Sequence, residues 1–342
     1  MNKRSFKTSA LWAVFCSILS LSLLTGCGAS RGSQNVNPVY IGIAWQADTD
    51  SEYYTNAFRA IKEAGGTPVL LPQVKPWSFK YDNEALSSDM VDGQGVLLQK
   101  YASELKSMSW DASNVSKALS SVSAVVFTGG EDISPTLYKN PEPWHGIEAE
   151  LDYNASRDVS DYLTMKYCVE MKMPVLGLCR GMQMLCVVSG GTVVQDIPSY
   201  LEKKGVAYDN THRLKAEPGQ SRDYTSHDVK VLSHNSILYK LSKTDVITGA
   251  ASKHHQSVSS VDGSNLAVVG VTPTQGTDVI EAVERTDRNF VLGLQYHPEV
   301  AIAKNLDKAA NASDYMSYKD AMKYFKELVK YARGYRNMDT MK

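Results

Sequence analysis

An α/β fold, with a mostly parallel sheet covered by helices on both faces and an antiparallel extension, is predicted by three features of the 342-residue sequence. The N-terminal half holds short, continuously apolar runs, as strands buried on both faces require. Helical segments alternate with those runs. Four further strand-like runs then follow one another in the C-terminal half, without helices long enough for parallel crossovers. Composition fits a globular chain: 43% hydrophobic, 21% charged, 36 Lys+Arg against 37 Asp+Glu and a formal net charge of -1. That balance excludes the basic surplus of a typical nucleic-acid binder, and five cysteines at this length are no disulfide scaffold.

In chain order, residues 39–44 predict a buried strand and 56–64 a helix closed by Gly65-Gly66. Residues 68–72 predict a second strand. Residues 73–117 form a polar excursion with one helix at 96–108. A third strand, 124–127, breaks abruptly at Thr128-Gly129-Gly130. A helix at 158–171, a strand at 174–177 and a helix from Gly181 follow. The extension comprises strands at 229–232, 266–269, 279–284 and 290–295. Residues 313–333 predict an amphipathic helix with Tyr318, Met322, Phe325, Leu328, Val329 and Ala332 on one face. No internal repeat or interdomain linker interrupts residues 39–335, which predict one domain.

The first thirty residues are a separate object. Lys3, Arg4 and Lys7 precede an uncharged stretch whose apolar core spans residues 10–24. That pattern predicts a secretory signal over residues 1–26, because a membrane span needs about 20 apolar residues. The ending Leu24-Thr25-Gly26-Cys27 resembles the lipobox of bacterial lipoproteins. It implies acylation of Cys27, residues 27–38 as a polar tether, and export to the periplasmic or cell-surface face of a bacterial membrane. Cys168, Cys179 and Cys186 then remain in the mature chain, so at least one thiol is unpaired.

Cys179 is the candidate with a chemical reason to be free. Gly177-Leu178-Cys179-Arg180-Gly181 follows a strand and opens a helix, the thiol form of a nucleophile elbow. A helix N-terminus favours thiolate, and the Arg180 amide would face an oxyanion. Gln183 lies one helical turn on. Downstream, Gln295-Tyr296-His297-Pro298-Glu299 ends a strand. On an extended chain residues two apart share a side, so Glu299 is expected to brace His297, completing a thiol, base and orienting carboxylate. Arg157 is a candidate carboxylate clamp, with a plain ion pair as the alternative. His254-His255 lack a Cys, Asp or Glu cluster at ligand spacing, so no metal site is expected. No phosphate loop or dinucleotide fingerprint is present, and no cofactor is expected.

The segments 177–183 and 293–299 together resemble a class I glutamine amidotransferase domain, whose sheet is flavodoxin-like. Segments 128–138, Arg157-Asp158, 190–197 and 254–258 are similar to its gamma-glutamyl hydrolase branch, typified by gamma-glutamyl-gamma-aminobutyrate hydrolase. The resemblance runs from about Ile41 to Glu299. It implies Cys179 as nucleophile, His297 as base and Glu299 as orienting acid. It further implies an oxyanion hole from the amides of Gly130 and Arg180, with Gln183, His255 and Gln256 near the substrate. Residues 249–253 depart from the branch, which leaves the acceptor amine open.

The resulting expectation is a membrane-anchored cysteine hydrolase of gamma-glutamyl amides. Its partners would be a small gamma-glutamyl substrate and the lipid bilayer, with no nucleic acid; oligomeric state stays open, a homodimer among the options. Two alternatives remain: a glutaminase donating ammonia to a separate synthetase, and a non-catalytic gamma-glutamyl-binding lipoprotein.

Overall fold

The computed structural model describes residues 37–45, 49–215, 222–288 and 290–339. The expected signal, the lipidation at Cys27 and all but the end of the tether lie outside the described residues. From Pro38 onward the chain clusters as one unit. Among the described residues, no helix is long and apolar enough to cross a membrane.

In chain order the strands are β1 (Tyr40–Ile43), β2 (Thr67–Leu70), β3 (Tyr81–Asp82), β4 (Ala85–Leu86), β5 (Val125–Phe127), β6 (Val175–Leu178), β7 (Thr192–Val194), β8 (Thr225–Val231), β9 (Val246–Ser252), β10 (Ser257–Ser260), β11 (Leu266–Thr274), β12 (Thr277–Arg285) and β13 (Val291–Leu294). Nine of them form one sheet in the order β2-β1-β5-β6-β13-β12-β11-β8-β9. From β2 to β13 all pairings are parallel. From β13 to β9 all are antiparallel. This is the α/β architecture that the apolar strand pattern predicts.

Side-chain alternation divides the core between the two faces. In β5, Val125 and Phe127 join the helices Ala155–Glu170 and Arg180–Val188, while Val126 joins Glu52–Glu63, Pro298–Leu306 and Tyr318–Asp339. The excursion contributes Val74, Phe79, Met90 and Leu97 to the first face.

Caps explain where helix boundaries differ from expectation. Ser51 accepts from the Tyr54 amide, so the first helix begins at Glu52 and not at 56. Asn154 accepts from the Arg157 amide and starts the next long helix at Ala155. The last helix starts later than expected, at Tyr318, because Ala312–Asp314 forms a separate 3₁₀ turn. The unexpected strand β9 reads Val-Ile-Thr-Gly-Ala-Ala-Ser, which has little β-branched or aromatic signal in its second half.

Candidate active site

Three neighbouring parallel strands deliver the three candidate motifs to one edge. Phe127 pairs with Gly177, and Leu294 with Leu178. The chain after each strand therefore emerges beside its neighbours: Thr128-Gly129-Gly130 after β5, Cys179 after β6 and His297 shortly after β13. The carboxyl ends of such strands are where open α/β sheets place ligands.

The elbow exists because its glycines let backbones touch. A Cβ on Gly177 would lie 2.7 Å from the Gly181 carbonyl, and one on Gly181 would lie 2.6 Å from the Phe127 oxygen. Cys179 itself has φ 51° and ψ -104°, a conformation rare for a residue with a side chain. It heads the helix Arg180–Val188, and its amide donates to the Leu294 oxygen at 2.7 Å. The other two described thiols are buried, whereas Cys179 is partly exposed. Burial pushes Cys186 up to about 12 and Cys168 further still. All three are free.

His297 Nδ1 lies 2.6 Å from Glu299 Oε1, with both side chains buried. The contact is the expected one, but its local geometry is not. His297 caps the helix Pro298–Leu306, and Glu299 stands in that helix's first turn instead of on an extended chain. Burial disfavours the imidazolium, yet Glu299 and Cys179 outweigh burial and push His297 up to about 10. Tyr53 and Tyr224 flank the ring, with centroids at 5.7 and 5.3 Å. Gly129 makes room for it, since a Cβ there would meet His297 Cε1 at 2.9 Å.

Two buried arginines hold the surrounding backbone. Arg157 Nη2 donates to the Gly129 oxygen at 2.8 Å and to Thr128 Oγ1 at 3.1 Å, Nη1 donates to Glu131 at 2.6 Å, and Nε donates to Asp161 at 3.3 Å. Each guanidinium nitrogen thus has a protein partner. Arg157 braces the glycine loop through these contacts, the ion-pair alternative of its expectation, and it also lines the cleft beside Cys179. Gly130 has φ +145°, and a Cβ there would collide with Arg157 Nη1. Arg180, beside the nucleophile candidate, donates to Asp161 and Asp158, each at 2.5 Å.

Beside Cys179 opens a cleft of about 360 Å³. Its wall carries the cations Arg157, Arg180, Arg213 and Lys253 and the carboxylates Glu131, Asp132, Glu150 and Asp152. Gln183, His255 and Gln256, all expected near a substrate, line it. Gln183 reaches Cys179 indirectly: it donates to Gln295 Oε1 at 3.3 Å, and Gln295 Nε2 donates to Cys179 Sγ at 3.4 Å. Gln295 stood inside the recognised motif without an assigned role. His255 sits between Asp132 at 3.0 Å and Asp196 at 3.5 Å. Burial opposes its charge, but Asp132 and Asp196 raise it to about 9. Gln256 is buried with both side-chain polar atoms unpartnered among the described residues, as suits a group awaiting a ligand.

His254 and His255 diverge, as adjacent side chains on an irregular backbone should. No Cys, Asp or Glu cluster stands at ligand spacing from them along the chain, but in space Glu281, on β12, stands 3.4 Å from His254 Nε2.

The chain belongs to the Peptidase C26 family, whose sequence profile matches residues 105–299. It is therefore of the class I glutamine amidotransferase-like, hydrolase or amidotransferase type. A protein of Rickettsia prowazekii named only as glutamine amidotransferase-like is 26% identical over 227 residues, covering 58% of this chain and 78% of its own. The gamma-glutamyl-gamma-aminobutyrate hydrolase of Escherichia coli is 28% identical over 172 residues, which are 49% of this chain and 60% of that protein. Among solved structures, the glutaminase domain of Trypanosoma brucei CTPS with bound acivicin aligns over 86% of this chain and 94% of its own, at 14% identity and TM-score 0.47.

Proposed function

We propose that the protein hydrolyses gamma-glutamyl amide bonds through a gamma-glutamyl thioester on Cys179. The observation that carries this reading is that Cys179, at a strained elbow on a helix N-terminus, and the buried His297–Glu299 pair follow neighbouring parallel strands at one sheet edge. The Cys179 thiolate attacks the gamma-carbonyl carbon, and the amides of Gly130 and Arg180 receive the oxyanion. As the C–N bond breaks, protonated His297 gives its proton to the leaving amine. His297 then takes a proton from water, which attacks the thioester; the C–S bond breaks, and glutamate and free thiolate are released. Glu299 keeps the imidazole oriented and stabilises its charge. A cleft wall of mixed sign suits the glutamyl head, which carries both an ammonium and a carboxylate. The E. coli relative's hydrolase name supports the same substrate class.

Anchoring at a bacterial membrane through Cys27 belongs to this proposal and rests on the lipobox resemblance. Incubation of the purified chain with a panel of gamma-glutamyl amides tests the reaction. Equal release of glutamate and amine, without ATP or a partner, is expected. Binding without turnover would favour the non-catalytic lipoprotein, and turnover of glutamine only beside a synthetase would favour the ammonia donor.

A further inference from the structure

Four buried side chains converge on one point in the antiparallel extension. His212 comes from the loop following the helix Ile197–Lys203, His227 from β8, His254 from the β9–β10 connection and Glu281 from β12. Glu281 Oε1 lies 3.0 Å from His212 Nδ1, 3.4 Å from His254 Nε2 and 3.6 Å from His227 Nε2. One ligand atom from each residue falls within 4.8 Å of all the others. An ion held tetrahedrally at about 2.0–2.1 Å by nitrogen and oxygen needs donors roughly 3.3 Å apart. The three separations from Glu281 Oε1 bracket that value, within a set that spans up to 4.8 Å.

The outer nitrogens of the same rings are already committed. His212 Nε2 lies 2.7 Å from Thr274 Oγ1, His227 Nδ1 lies 3.1 Å from Thr272 Oγ1, and His254 Nδ1 lies 2.8 Å from the Gln256 oxygen. Such outer partners fix the ring orientation and tautomer of a metal-binding histidine. The inner nitrogens, and both oxygens of Glu281, make no well-aligned hydrogen bond among the described residues, only the contacts of 3.0, 3.4 and 3.6 Å to one another. A fully buried carboxylate in that state costs several kcal/mol unless a cation meets it. One protonated histidine would satisfy a single contact and leave two imidazole nitrogens aimed at the same oxygen. One divalent ion satisfies all four groups.

We propose that His212, His227, His254 and Glu281 bind one divalent zinc ion as a closed structural site. Three imidazoles and one carboxylate suit zinc and disfavour calcium or magnesium, which take all-oxygen shells. Four protein donors in a buried tetrahedron leave no open position for a reacting water, so the ion's role is to hold the fold. What it holds borders the cleft. His212 precedes Arg213, and His254 precedes His255 and Gln256; all three followers line the cleft beside Cys179. The ion would tie these two segments to β8 and β12. The inference stands whether or not gamma-glutamyl amides are the substrate.

Metal analysis of the full chain, produced with added zinc and without a metal-binding tag, tests it. Roughly one zinc per chain is expected, surviving in Cys179→Ala but falling at least about tenfold in His227→Ala and Glu281→Gln. Should those variants fail to fold, the wild type stripped with a chelator and reloaded with cobalt gives a second readout. Tetrahedral cobalt absorption with nitrogen-rich coordination, and a thermal midpoint that rises on reloading, would support the site. A wild-type chain that neither retains zinc nor is stabilised by zinc or cobalt would overturn it. So would zinc that disappears in Cys179→Ala and persists in His227→Ala, since the metal would then sit on the thiol.

Discussion

Arg180 Nη1 donates to Asp161 Oδ2 at 2.5 Å, with both side chains buried. The same oxygen accepts from Arg157 Nε at 3.3 Å. One carboxylate therefore joins the residue after Cys179 to the arginine that holds the Gly129 carbonyl. The backbone amides proposed for the oxyanion come from these two places, so Asp161, which does not line the cleft, is expected to set their spacing.

Asp161→Ala should leave two buried guanidiniums short of a partner and cost about 3–5 kcal/mol, as broken buried ion pairs do. Asp161→Asn, which keeps an acceptor, should cost less. In whatever fraction folds, kcat should fall on the order of 10²-fold while KM changes little, as follows from small misplacement of reacting groups. Denaturant unfolding together with steady-state kinetics reads both effects. A destabilised variant with unchanged kcat would show that Asp161 serves the fold alone.

Gly181→Ala should be damaging for a steric reason. The new Cβ would lie 2.6 Å from the Phe127 oxygen, and backbone must shift to admit it. Overpacking of this kind costs about 1–3 kcal/mol, and the shift would reach Cys179 two residues away. Gly334, in the last helix, has nothing within 4 Å of its Cβ position. Gly334→Ala should be stabilising by roughly 0.5–1 kcal/mol through helix propensity. Thermal melts of the two variants, with hydrolysis rates, test the contrast.

Stability should decline on the alkaline side. Folding raises His255 from 6.5 to about 9, because Asp132 and Asp196 outweigh its burial. A group raised on folding contributes fully below its unfolded pKa, and that contribution is lost as pH rises through the folded value. The window is thus 6.5 to about 9, and the loss is on the order of 3 kcal/mol at most. Asp132→Asn should flatten this slope. Unfolding midpoints measured across the window check it; equal slopes in the two proteins would exclude His255 as their source.

The parallel sheet and the Cys179 elbow were legible because their signals are contiguous. A strand, a Gly-x-Cys-x-Gly turn and a helix occupy one short stretch, and steric need dictates each glycine. The His297–Glu299 contact was also legible, although Pro298 starts a helix and brings Glu299 round by a route other than an extended chain. The Arg157–Asp161 pair lies at i,i+4 on one helix, whereas Glu131 and the Gly129 oxygen come from the loop after β5, so only the fold shows that Arg157 braces that loop. Tyr53 and Tyr224 carry no motif. His212, His227, His254 and Glu281 are scattered over four segments, so ligand spacing along the chain could not reveal a cluster that β-sheet register creates.

Acid-quench mass spectrometry of the protein mixed with a gamma-glutamyl amide tests the central claim most directly. The account predicts a gamma-glutamyl mass increment on Cys179 during turnover, with none on the buried Cys168 or Cys186. It also predicts that Cys179→Ala and His297→Ala each lose on the order of 10⁴–10⁶ in turnover, with a double mutant scarcely worse than either. Hydrolysis that persists in Cys179→Ala, or an adduct that maps to another cysteine, would contradict it.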